Sequence, residues 1–460
     1  MKLQEALVNK AKDQFFDRLS QEAYSDLPAD VLTMFEGVKS ERRPYLLFNP
    51  LNITPAFCRA IRQAAEQYWS LATSTAQIFQ YLPESEILDW GYPEDYIPQL
   101  LADNTAPCEM RLDIAVDPEA FKQDQFCLND FKVLESNSST PGFWAETFVF
   151  NELIANHFGL QCPNKGMREA QTQDFIAYLK KSFPTYIHGK DTVYFSFPFV
   201  GAHEDILSFD ARIGCFQKLG GKAQFIYSEE LVIETDLTQD LSLKTPDGAG
   251  VKYLFLHYPN EWLIEDQGEL VSDNDLSVIP AARPWDYLQQ LVLEGKLYRV
   301  PPIRSEIIQN KSFGAFLWEG VRSNRFDFET TQLIKTLVPE TYCTYDEAKS
   351  YGLSQIWEKP TYGREGAGII LWENGESVVD TYNPEFDDDE WYRQMLAIYQ
   401  ANCKMPTYEF EDERVLLMFT VYLSAGGRAS GIGCRAVAES KRVIDTQQGL
   451  WFPIALKTGN

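Results

Sequence analysis

Four groups of residues in this 460-residue chain have the types and spacings to handle phosphate and metal. The richest is Lys359 to Ile369, KPTYGREGAGI, where a lysine precedes three glycines set around Arg364 and Glu365. Glycines let a backbone approach a ligand closely and turn successive N–H groups toward it. A lysine at the loop's root adds a fixed positive charge, and both features suit a polyphosphate. The lysine leads the glycines, so the spelling is neither the P-loop, which ends in GK[ST], nor the dinucleotide-binding G-x-G-x-x-G. A glycine-rich hairpin with a surface lysine is spelled the same way.

The second group is Arg111-Leu112-Asp113 followed by Glu135-Ser136-Asn137. Residues two apart on a strand share a face, so Arg111 goes with Asp113, and Glu135 with Asn137. Two carboxylates and an amide oxygen converging from adjacent strands form a hard, oxygen-only site of the kind magnesium favours; the same residues also serve as turn caps at strand ends. The third is Asn310-Lys311, opening the helical stretch FGAFLWE. The helix dipole disfavours a cation there, so Lys311 is either solvated or held for an anion. The fourth is Cys434-Arg435 among Gly426, Gly427, Gly431 and Gly433. An arginine so placed reaches a transferring phosphoryl or an oxyanion, or lies on the surface of an edge strand.

The elements that must position these groups are legible as patterns. Apolar residues on both sides of the glycines predict strand, tight loop, strand. Thr54-Pro55 has the spelling of a helix start, after a short strand at Tyr45 to Phe48. Met110 to Val116 and Phe131 to Leu134 read as strands, and SNSSTPG as a turn into a helix from Phe143 to His157. Strands and helices alternate from Asp191 to Tyr258, which predicts an α/β unit with a mostly parallel sheet. The stretch 236–250 reads as a polar surface loop. From Ile356 the chain becomes β-rich, with long strands at Val415 to Leu423 and Gly431 to Val437. The acidic cluster from Glu385 to Glu390 reads as a helix N-terminus, where negative charge is favourable.

Composition bounds the function. With 45% hydrophobic and 14% aromatic residues the chain is globular, and its length predicts two or three domains. A formal charge of -26 argues against nucleic-acid binding and against docking on an anionic membrane. Eight scattered cysteines without a C-x-x-C fit free thiols in a reducing, cytoplasmic setting. The N-terminal segment reads as an amphipathic helix with Leu3, Leu7, Ala11, Phe15 and Leu19 on one face, not as a signal peptide. The four histidines are separated and read as structural.

Taken in order, R-x-D, E-x-N, NK at a helix start, KP-x-x-GREG, a later IYQ and an arginine after F-T-V and glycines resemble the synthetase part of glutathionylspermidine synthase and its standalone relatives, including trypanothione synthetase. The likeness runs from Arg111 to the C-terminus, and Tyr258-Pro259-Asn260-Glu261-Trp262 is similar to a Y-P-x-E-W signature of the standalone members. The resemblance implies a mixed α/β, circularly permuted ATP-grasp fold with a pre-ATP-grasp-like domain and a glycine-rich lid. Residues 1–110 would form a mostly helical part of the core, 111–160 the metal-binding strands, 161–300 the α/β substrate domain, and 301–460 the ATP-binding lid and C-terminal part.

Carried over residue by residue, the resemblance implies that Asp113, Glu135 and Asn137 hold two magnesium ions. Lys311 and Lys359 contact the ATP phosphates, Gly363, Arg364, Glu365 and Gly366 close as a lid, and Ile398, Tyr399, Gln400 and Cys403 line the adenine pocket. Arg111 faces the acyl substrate and Arg435 the phosphoryl in transfer. Thr140, Gly142, Glu204, Asp205 and Tyr258 fall where substrate contacts are expected. The implied activity is an ATP-dependent carboxylate–amine ligase acting on a small or peptide-like acid and an amine, a polyamine among the candidates. An amidase is not expected: the first histidine is His157, so Cys58 has no base near it in sequence. The acidic residue that recognises the polyamine in the relatives has no counterpart in GLWFPIAL. A silent ATP-grasp scaffold and an ATP-grasp kinase are the competing readings, and the full set of lysines, arginine and metal ligands speaks against silence.

Overall fold

The computed structural model describes residues 47, 49–102, 105–198, 202–235, 241–265, 284–364, 366–382, 387–410, 413–443 and 449–457. The segment 1–19, Glu365 and most of the strand expected at Tyr45 to Phe48 lie outside the described residues. The strand found beside it is Leu51–Ile53, which pairs in parallel with Ile454–Leu456 and so ties both ends of the described chain together.

A six-stranded sheet carries the first and last motifs. It runs Leu450–Phe452, Ala429–Ala438, Glu413–Ser424, Glu109–Val116, Phe131–Asn137, with Thr407–Phe410 against Glu413–Ser424. Segments far apart in sequence, 109–137 and 407–452, thus build one sheet. Glu109–Val116 is buried at every position. Alternation splits its side chains: Met110, Leu112, Ile114 and Val116 join the main apolar core, while Arg111 and Asp113 take the other face. The core face is covered by the helix Pro55–Ala76, which starts where the sequence predicts: Thr54 Oγ1 accepts from the Phe57 amide at 3.0 Å, and proline follows it. Phe57 meets Phe419 of the sheet at 4.7 Å between ring centroids.

The second unit is a parallel four-stranded sheet in the order Lys222–Tyr227, Thr192–Phe197, Tyr253–Leu256, Tyr298–Val300. The helices Met167–Ser182 and Ala202–Lys218 accompany it, and Phe195, Phe209, Phe216 and Phe255 fill its core. The polar stretch 236–250 departs from its loop spelling. Leu241–Lys244 pairs with Val232–Thr235 as a hairpin, because Leu241 and Leu243 alternate into the main core.

The glycine loop belongs to a five-stranded antiparallel sheet ordered Thr341–Tyr342, Ala397–Ala401, Gln355–Pro360, Ile370–Glu373, Glu376–Asp380. The loop links Gln355–Pro360 to Ile370–Glu373, and Gly366 and Gly368 both turn with positive φ, +81° and +65°, where a side chain would be strained. Of the acidic cluster, Asp387 to Glu390 open the helix Asp387–Arg393, and Glu385 lies outside the described residues. No helix among the described residues is long and apolar enough to cross a membrane.

Candidate active site

Register brings the early motifs onto one face. Across the antiparallel pair, Arg111 stands opposite Asn137 and Asp113 opposite Glu135. On the other side Asp113 faces Thr420 and Arg111 faces Tyr422, and beyond them Met418 faces Arg435. Directly opposed residues point the same way, so Arg111, Asp113, Glu135, Asn137 and Arg435 share one face. A bulge between Asp113 and Ile114, with Leu134 left unpaired, sets this register. On the Arg435 strand, a Cβ at Gly433 would lie 2.3 Å from the Trp451 ring, so only glycine lets Trp451 cross there.

The face is buried and dominated by cations. Arg111, Asp113, Asn137 and Arg435 are each 6% exposed or less, while the Glu135 side chain keeps an opening of 27%. Arg111 grips Asp113 with two hydrogen bonds, Nε to Oδ1 at 3.2 Å and Nη2 to Oδ2 at 3.1 Å, and also donates to the Gly142 carbonyl at 3.4 Å. Burial pushes the Asp113 carboxyl up against the pull of Arg111. Burial would raise Glu135 too, but Lys311, Arg111, Lys359 and Arg435 together hold it below the usual carboxylate value.

The lysines arrive from the lid side. Lys311 sits at the start of the helix Ser312–Arg322, and its amide donates to the Thr361 carbonyl at 2.9 Å. Its Nζ lies 3.6 Å from Glu135 Oε1 and donates to the Gly363 carbonyl at 2.5 Å. Lys359 Nζ donates to Gln400 Oε1 at 2.7 Å, and Gln400 Nε2 reaches the carbonyl of the bulged Leu134 at 3.5 Å. Burial lowers Lys359 to about 8. Cys403, half-buried nearby, has its thiol pushed up by burial while the charges of Lys132 and Lys359 pull it down.

The glycine loop is docked. Arg364 donates from Nε to Glu261 Oε1 at 2.6 Å and from Nη1 to Thr140 Oγ1 at 2.5 Å. Glu261, 1% exposed, lies on the helix Asn260–Glu265 of the parallel-sheet unit, so one side chain fastens the lid both to that unit and to the turn after Asn137. Beside it Glu306, fully buried, accepts from Asn260, which in turn accepts from Arg299. Burial and the neighbouring Glu261 raise Glu306 to about 7. The Y-P-N-E-W spelling contains Glu261 but gives no sign of this contact, and nothing in the sequence marks Glu306 or Phe143, which lies beside both site arginines.

Not every predicted residue joins the cluster. Tyr399 alternates to the opposite face from Ile398 and Gln400 and meets Tyr345 at 6.1 Å, so its side chain points away from Lys359. Tyr258 packs at the margin of the main core. Glu204 and Asp205 fall in the first turn of the helix Ala202–Lys218; their side chains, and Glu365, lie outside what is described.

The buried polar atoms left over indicate what the site can accept. Asn137 Nδ2, Thr420 Oγ1 and Arg435 Nε and Nη2 have no hydrogen-bond partner among the described residues. Such atoms are costly unless a ligand or water meets them. Among the described residues no three His, Cys, Asp or Glu side chains form a metal cluster; the set here is Asp113, Glu135 and the Asn137 amide. All its donors can be oxygens on one face, which fits magnesium, and the Arg111 fork on Asp113 is the contact an ion would compete with. Two lysines and an arginine with free N–H groups likewise fit a polyphosphate.

Residues 109–448 match the family described as Glutathionylspermidine synthase preATP-grasp. Among solved structures, a glutathione synthetase-like effector, GSS30, from Globodera pallida in its apo form is 10% identical, with a TM-score of 0.55 over 98% of this chain and 97% of that one. A gamma-glutamylcysteine synthetase candidate from Methylobacillus flagellatus KT is 12% identical over 88% of this chain and 89% of that one, with a TM-score of 0.44. The first likeness bears on the fold alone, a mixed α/β architecture.

Proposed function

The chain belongs to the glutathionylspermidine synthase pre-ATP-grasp family, and from that premise we propose that it is an ATP- and magnesium-dependent carboxylate–amine ligase. One observation carries the reading: four cations, Lys311, Arg111, Lys359 and Arg435, gather around two neighbouring carboxylates, Asp113 and Glu135. So many cations around so little negative charge leave room for a polyanion.

Bound magnesium and ATP would supply the γ-phosphoryl that converts a carboxylate into an acyl phosphate, from which an amine displaces phosphate to give an amide, ADP and phosphate. The chain's own residues have separable tasks. Asp113, Glu135 and Asn137 would hold the metal, two ions in the fullest form. Lys311 and Lys359 would neutralise the phosphate oxygens, and Ile398, Gln400 and Cys403 would frame the base, with Tyr399 contributing through the backbone of its strand. Arg435 would donate to the phosphoryl in transfer and Arg111, released from Asp113, to the acid. The loop from Gly363 to Gly366, fastened by Arg364, would exclude water, which otherwise hydrolyses the activated acid. That the metal-facing strands precede the lid in the chain is read as circular permutation of an ATP-grasp fold.

The test is a screen of peptide-like acids against amines for ADP release. A ligase releases ADP only with both present, and hydroxylamine in place of the amine traps the activated acid as a hydroxamate. Release with acid alone and a stable phosphorylated product would make it a kinase. No release from any pair, in a protein that binds the nucleotide, would leave a silent scaffold.

A further inference from the structure

We propose that Phe143 is a positioning residue whose ring holds the guanidinium groups of Arg435 and Arg111. The Cζ atoms of Arg435 and Arg111 lie 4.5 Å and 4.8 Å from the centre of this one ring. Trp451, opposite Arg435 in the sheet, lies alongside the same ring at 5.6 Å and 31°. Gly433 is what gives Trp451 its room.

How the arginine is held decides what it can do. A guanidinium paired with a carboxylate spends its in-plane N–H groups on that partner, as Arg111 does on Asp113. A guanidinium centred over an aromatic ring is held by the ring's π-electrons and spends no N–H group on a carboxylate. Arg435 shows the second arrangement: it is 6% exposed, sits over Phe143, and its Nε and Nη2 have no partner among the described residues. The ring therefore keeps a buried cation in place with its donors unspent.

The backbone supports the assignment independently. Phe143 has φ +67°, a region bulky residues rarely enter. Glycine adopts it without strain, and Gly142 stands one residue earlier. A phenyl group kept at the strained position points to a need for the ring itself.

The inference rests on reading Arg435 as the phosphoryl-facing arginine, and its test separates the two claims. Phe143→Gly suits the backbone and removes the ring, so it should keep the wild-type melting temperature. Its kcat should nevertheless fall on the order of 100-fold, as for a misplaced reacting group, with the KM for ATP rising far less than kcat falls. Phe143→Leu should lose as much, and Phe143→Trp should recover most of the rate. A leucine variant as active as wild type would show that the ring only fills space.

A second readout needs no turnover. In calorimetric titrations with inorganic pyrophosphate, Phe143→Gly and Arg435→Ala should each weaken binding, and the double variant should be no weaker than Arg435→Ala alone. Fully additive losses, or a wild type that does not bind pyrophosphate, would overturn the proposal. An absence of ADP release with coupled pyrophosphate losses would instead overturn the ligase reading and leave Phe143 in its role.

Discussion

Asp113 and Glu135 stand directly opposite each other across antiparallel strands, yet their surroundings move them in opposite directions. Burial raises Asp113, while four cations outweigh burial and lower Glu135. The pair is therefore unequal before any ligand arrives: Asp113 is engaged by Arg111, and Glu135 is the negative charge that the lysines see.

Glu135→Gln should thus have two opposed effects on nucleotide binding. Without metal, removing the charge that Lys311 and Lys359 now neutralise should tighten binding of a non-hydrolysable ATP analogue several-fold. With magnesium, the gain that wild type shows should be lost. Titrations with EDTA and with magnesium read both, and a variant weaker in both conditions would remove Glu135 from this balance.

Lys359 should set an alkaline limit. Burial lowers it to about 8, so it loses its charge as pH rises through that value in the free protein. Affinity for the analogue should decline between pH 7.5 and 9.5, roughly tenfold for each charge-assisted hydrogen bond that Lys359 ceases to make. Lys359→Arg, which stays charged, should flatten the decline. An identical slope in both proteins would assign it elsewhere.

Glu306 should make stability depend on pH in the opposite sense to an ordinary paired carboxylate. Its folded value, about 7, lies above the ordinary 4.5, so between these values the native state holds a proton that the unfolded chain has released. Stability contributed by this group is complete below about pH 4.5, falls as pH rises to about 7, and then levels off. Glu306→Gln should remove that slope and at pH 8 be more stable than wild type, on the order of 2–3 kcal/mol. Thermal melts at pH 5 and 8 would check it; a destabilised variant at pH 8 would mean that the ionised form is needed.

Arg364 should govern the coupling of ATP use to product. It is the side chain that fastens the glycine loop to Glu261 and Thr140, so Arg364→Ala should admit water. ADP should then exceed amide formed, and protease should cut near Gly363 to Gly368 faster than in wild type. A one-to-one ratio of ADP to amide in the variant would show that the loop closes without this latch.

Much of the architecture was legible because it rests on local chemistry. Thr54-Pro55 announces its helix, the alternation from Asp191 onward announces a parallel sheet, and the glycines announce a loop between strands. What the spelling could not carry was register and long-range contact. Nothing in R-x-D or E-x-N reveals that a bulge at Leu134 aligns all four side chains on one face. Tyr399 shows the converse, since IYQ looks like one unit while alternation sends its middle side chain to the other side of the sheet from Ile398 and Gln400. Arg364 meets Glu261 and Thr140 across more than a hundred residues each, and such pairs leave no local trace. Leu241 and Leu243 were hidden because two buried positions cannot dominate a polar stretch.

The central claim is that Lys311, Lys359 and the Asp113–Glu135 face form a magnesium-dependent nucleotide site. It is tested most directly by calorimetric titration of a non-hydrolysable ATP analogue, with and without magnesium, into wild type and Lys359→Ala. Wild type should bind the analogue more tightly with magnesium, and Lys359→Ala should lose that binding or weaken it at least about tenfold. Absence of binding to wild type, or equal binding by both proteins regardless of magnesium, would contradict the claim.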